Sequence, residues 1–149
     1  MDAPNKILTI IESPFSAPTH DEIVRNVYYA MLAVRDSLLR GEAPYASHLF
    51  FTQMLDDNIP TERTAGINAG LIVGQNAPVT ALYLDLGMSH GMQLGADAAK
   101  ELGREIVERR LFDADMELSD IEAQIVEQVQ FHHLPDPGVI AAIYARIIK

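Results

Sequence analysis

The chain has 149 residues and a mass of 16.4 kDa, room for one hydrophobic core but not for two ordinary domains. Its composition, 48% hydrophobic against 21% charged, is that of a globular protein and not of a disordered one. A net charge of −10 opposes any nucleic-acid partner, and the absence of cysteine excludes disulfides, thiolate catalysis and cysteine-ligated zinc.

Ile7 to Ile11 is an apolar, β-branched run ending in Glu12-Ser13-Pro14, the pattern of a buried first strand followed by a loop. It is too short for a signal sequence, and no other stretch reaches the length of a membrane span. A cytoplasmic protein with no membrane partner is expected. Thr19 and Glu22 have the spacing of a capping box, and Val24, Val27, Tyr28, Met31, Val34 and Leu38 follow at helical spacing until Gly41. Ala43 to Ser47 reads as a short second strand delivering Ser47 and His48 into a long loop.

After Pro60, residues Thr61 to Gly74 predict a helix with an apolar stripe at Ala65, Ala69, Ile72 and Val73. Val79 to Leu84 reads as a strand, and Ser89 to Leu102 as a helix with Met92, Ala96 and Ala99 on its inner face and Gly103 at its end. Glu105 to Val107 is a fourth short strand. Strand and helix thus alternate, which predicts an α/β fold: a mostly parallel sheet between two helical layers.

The chemistry changes after residue 112. Residues 113–149 carry seven acids against two bases. Ser119 with Glu122 has the form of a second capping box before Ile121, Ile125 and Val129. Asp136-Pro137 places a cap and an N1 proline before Ile140, Ile143 and Ile147. The expected organisation is therefore an α/β domain over 1–112 and an acidic helical extension over 113–149. Short helices are marginal alone in water, so the extension must bury its stripes on the domain or on another subunit. A homo-oligomer is expected on that ground.

Ligands of parallel sheets bind beyond the carboxyl ends of the strands. Those ends here supply Glu12, Ser13 and Phe15, then Ser47 and His48, then Asp85, Ser89 and His90. The stretch Tyr83 to Met92 is expected to form a strand-to-helix loop that holds a small anionic or sugar-bearing ligand, because unpaired N–H groups meet the positive helix end there. A plain turn using Gly87 and Gly91 for tight geometry is the alternative. Asp85 reads either as an acceptor for ribose hydroxyls or as a loop-capping carboxylate. The glycine spacing matches neither a Walker loop nor a dinucleotide fingerprint, which excludes P-loop hydrolysis. The five histidines show no metal-ligand spacing, and no metal or cofactor is expected. Glu62-Arg63, at a helix start, has the form of a local ion pair.

The strings Ser13-Pro14-Phe15, S-H-L-F-F-T-Q from Ser47, Glu62-Arg63 and Y-x-D-x-G-x-S-x-G-M from Tyr83 resemble the nucleoside 2-deoxyribosyltransferase-like superfamily, in particular its small branch of uncharacterised phage and bacterial domains. The resemblance covers about residues 6 to 110. It implies a flavodoxin- or deoxyribosyltransferase-like three-layer sandwich and a nucleoside or nucleotide ligand. Members of the superfamily attack the anomeric carbon with a glutamate on the helix after the third strand. The matching position here is Gly95, which supplies no carboxylate.

The resemblance thus implies a scaffold that binds a nucleotide or ADP-ribose-like molecule without cleaving it, as a phage protein sequestering a host nucleotide signal would. The alternative is an N-glycosidase or transferase using another acid, Asp85, Glu12 or Glu101. The implied ligand contacts are Ser13, Pro14, Phe15, His48, Glu62, Arg63, Asp85, Ser89, Gly91, Met92 and Gly95. Gly95 either lets its helix approach the sheet or makes room for a larger ligand.

Overall fold

The computed structural model describes residues 6–145, so the expectation for Ile147 lies outside the described residues. Four strands, β1 (Leu8–Glu12), β2 (Ala43–Tyr45), β3 (Val79–Tyr83) and β4 (Glu105–Arg109), form one sheet in the order β2-β1-β3-β4. Every neighbouring pair is parallel. The sheet therefore needs crossover connections, which α1 (His20–Leu39) and α4 (His90–Glu101) supply after β1 and β3. Strand order reverses between β1 and β3, so their carboxyl ends flank the crevice in which such sheets hold ligands.

Strand periodicity sorts the side chains. Ile11, Ala81 and Tyr83 join Val27, Tyr29 and Ala33 of α1 in the main core. Ile10 and Glu12 point to the opposite face, where Met92, Ala96 and Ala99 of α4 are buried. Helices α1 and α4 start as the sequence predicts. Thr19 and Glu22 form a complete capping box, and the Ser89 hydroxyl accepts a hydrogen bond from Met92 N–H at 3.2 Å. Their ends are likewise marked by Gly41 and Gly103, both with positive φ.

Helices α5 (Leu118–Phe131) and α6 (Pro137–Ile143) pack on α1. Ile121, Ile125, Val129, Ile140 and Tyr144 are buried in the same cluster as Tyr28, Tyr29 and Leu32. Tyr28 seals the junction by donating from its hydroxyl to the Pro135 carbonyl at 2.6 Å.

Four expectations need correction. The second strand stops at Tyr45, and Ser47 and His48 open a short helix, α2 (Ser47–Phe50), instead of a loop. The stripe predicted on α3 (Pro60–Val73) is not buried: Ile72 is 69% exposed. Its inward side carries Gly66 and Gly70 instead, because α3 lies so close to α2 that a Cβ on Gly70 would stand 2.8 Å from Ser47 Cβ. Ser119 does not cap α5. Glu117 holds the N-cap position without a side-chain bond, and Glu122 is drawn to Arg25, 3.7 Å away. Ile143, expected on the buried stripe of α6, is 40% exposed.

Candidate functional site

A cavity of about 370 Å³ opens at the carboxyl end of β1, bounded by α2, α3 and the first turns of α4. That is the lower range of small-molecule sites, roughly 300–1,000 Å³. Nine of the eleven residues singled out from the sequence line it: Ser13, Phe15, His48, Glu62, Arg63, Ser89, Gly91, Met92 and Gly95. Pro14 is buried beside it without lining it, and Asp85 lies elsewhere.

Asp85 is a structural clasp. Its carboxylate accepts hydrogen bonds from the Tyr29 hydroxyl at 2.6 Å, from Leu111 N–H at 2.7 Å and from Phe112 N–H at 3.0 Å. These bonds fasten the chain after β4 to the end of β3, and the loop-capping alternative describes its position. Tyr83 is similarly occupied, buried and donating to Asp36 at 2.7 Å. Burial pushes its hydroxyl up to about 12. Within the stretch Tyr83 to Met92, therefore, only the part from Ser89 onward faces the cavity.

The polar wall is made by β1 and α2. Ser13 Oγ and His48 Nε2 are 2.7 Å apart, a pair that holds the turn after β1 against the helix that follows β2. Burial disfavours the imidazolium and pushes His48 down to about 4, so the ring is neutral at pH 7. Thr52 fixes the same segment by donating to the His48 carbonyl at 2.5 Å.

The charged groups are unevenly committed. Glu62 accepts from Asp56 N–H at 2.6 Å, so it closes the turn ahead of α3 instead of pairing with Arg63. The Arg63 guanidinium has no hydrogen-bond or ion-pair partner among the described residues and stands at the cavity wall. Arg104 is the reverse case: its nitrogens donate to the carbonyls of Ala77 and Gly74 and to Thr80 Oγ1. Those bonds fix the guanidinium under the cavity.

Glu12 is the acid of this site. It ends β1 on the α4 side of the sheet and lies where α4 carries no side chain: a Cβ on Gly95 would overlap Glu12 Oε1 and fall 2.5 Å from Cδ. No protein group hydrogen-bonds its carboxyl among the described residues. Burial pushes its pKa up to about 8, against the opposing pull of the nearby Arg104 cation. The space left by Gly95 is thus filled by the carboxyl of another strand. A strand-end acid spaced two residues from Ile10 was the only sequence signal for this placement; Arg104 and the inner face of α3 had none, since both depend on packing between distant elements. Among the described residues no cluster of His, Asp or Glu is arranged to hold a metal, and no helix is long and apolar enough to cross a membrane.

The model of a family described as a domain of unknown function (DUF7768) matches residues 7–109, so the chain belongs to that family. The match runs from the start of β1 to the end of β4. No curated protein and no solved structure matches the chain.

Proposed function

We propose that this member of the DUF7768 family binds a nucleotide or ADP-ribose-like small molecule in the cavity at the end of β1 and holds it without cleaving it. The observation that carries this reading is an uncommitted Arg63 guanidinium and the capped start of α4, two anion-seeking features that line the same cavity. Phe15, Ser13 and His48, which also line it, supply apolar and neutral polar surface for a sugar or base. Sequestration of a host nucleotide signal by a phage is the biological form that suits a binder of this kind, and the deoxyribosyltransferase-like motifs favour the nucleotide class.

The experiment is to incubate the protein with nucleosides, nucleotides and cyclic ADP-ribose isomers, release what is retained and weigh it. Retention with unchanged mass is expected. A changed mass supports the second reading, an N-glycosidase or deoxyribosyltransferase, which one observation favours: a carboxyl does stand over Gly95, supplied by Glu12. Self-association is part of the same proposal. Leu71, Ile72 and Val73 leave an exposed apolar ridge on α3. Light scattering that gives a monomer's mass at every concentration tested would remove it.

A further inference from the structure

We propose that Glu12 contacts the neutral sugar-and-base end of the ligand, its carboxyl reaching from β1 into the place where a side chain at position 95 would stand, while the phosphate end lies at Arg63 and the start of α4. The inference rests on the nucleotide-binding reading above and gives the ligand a direction in the cavity.

Three observations carry it. The carboxyl seats against Gly95 of α4 and lines the cavity, yet it accepts and donates no hydrogen bond among the described residues. A group from outside the chain is the natural partner. Second, Gly95 lies five residues into α4, about 7.5 Å along the axis from the N–H groups that favour an anion. A phosphate at the helix start would place the attached sugar and base toward Glu12. Third, the cations are divided. Arg63 is uncommitted at the cavity wall, whereas Arg104, beside Glu12, is tied by three of its donors to Ala77, Thr80 and Gly74.

The uncommitted cation thus stands at Arg63, and the one at the Glu12 end is tied into the frame. A carboxyl there suits hydroxyl, amino or ring-nitrogen groups. Its raised pKa agrees: as a neutral acid it offers one donor and one acceptor side by side, the complement of a nucleobase edge or a hydroxyl. Position 95 must stay empty for this, because any side chain there displaces the carboxyl.

The test measures the affinities of the four 2′-deoxynucleosides, their 5′-monophosphates and inorganic phosphate for the full chain by calorimetry. For the deoxynucleoside and monophosphate bound best, Glu12→Ala is expected to weaken both at least tenfold and to leave inorganic phosphate unaffected. Arg63→Gln should weaken the monophosphate and phosphate but not the nucleoside. Nucleoside affinity within twofold of wild type in Glu12→Ala overturns the inference while leaving the binding reading intact. If the wild-type chain binds none of these probes, the inference falls, and the binding reading falls with it when the cyclic ADP-ribose isomers are not retained either.

A ligand-free control reads the placement itself. Gly95→Ala should lower the melting temperature, and Glu12→Ala with Gly95→Ala should recover most of the loss. Additive losses would show that the carboxyl is not seated over Gly95.

Discussion

Asp85 accepts three hydrogen bonds from the protein and Glu12 accepts none among the described residues, although both are acids at the ends of neighbouring strands. Replacing Asp85 by Ala strands the Tyr29 hydroxyl and two backbone N–H groups in the interior. The expected loss is about 3 kcal/mol of stability, read from urea unfolding. Glu12 gives a pH signature instead. Its pKa rises from 4.5 to about 8 in the fold, so the folded chain keeps a proton that the unfolded chain has released. Stability then falls as pH rises between those values. His48 acts in the opposite sense, since its pKa drops from 6.5 to about 4 and stability grows as pH climbs through that window. The two oppose each other from 4.5 to 6.5, and above 6.5 only the Glu12 contribution is left. Unfolding free energy of the ligand-free protein should decline from pH 6.5 to 8, and Glu12→Gln should flatten that decline. Equal slopes for the two proteins would refute the burial of this acid.

Two helix starts that look alike in sequence differ in structure, and mutation separates them. Thr19 both accepts from Glu22 N–H and has its own N–H bonded to the Glu22 carboxylate, each at 3.3 Å. Thr19→Ala should cost about 1 kcal/mol. Ser119 sits inside the first turn of α5, one residue past its start, and caps nothing. Ser119→Ala should stay within about 0.5 kcal/mol of wild type in the same thermal or urea measurement. The S/T-x-x-E pattern is identical in the two places, but at the second Arg25 takes up Glu122. Helix α3 shows the converse limit. Its apolar residues suggest a buried stripe, yet the side that packs is marked by glycines, which a hydrophobicity pattern does not register.

Across the whole molecule, the acidic extension and the sheet domain share a core. Ile121, Ile125, Val129, Ile140 and Tyr144 are all buried, and each such side chain is worth roughly 1.5–3 kcal/mol, against a total stability of about 5–15 kcal/mol. A chain ending at residue 112 should therefore lose cooperative unfolding, as circular dichroism on heating would show. A sharp transition near that of the full chain would mean that the family-matched region folds alone. The extension also bears on the cavity, because Tyr144 packs against Phe15 with ring centroids 5.6 Å apart. Loss of α6 would loosen the wall that Phe15 provides.

From sequence alone the alternation of strands and helices, the caps at Thr19, Ser89 and Asp136, and nine of the residues that line the cavity can be read, because period, capping and strand-end position are local properties of the chain. Ser13, His48 and Ser89 were legible as residues that leave strands or open helices at the ligand end of a parallel sheet. What only the tertiary structure decided is which of these residues stay uncommitted. Asp85 is consumed by Tyr29 and the segment after β4, Glu62 closes a turn, and Glu12 fills the gap that Gly95 leaves. Those outcomes depend on residues up to 83 positions apart meeting in space, as Glu12 and Gly95 do, and no local pattern contains that information. The loop from Tyr83 to Met92 shows the division in one stretch: its chain direction follows from sequence, while the inward turn of Tyr83 and the outward turn of Ser89 follow from what the sheet and α1 pack around them.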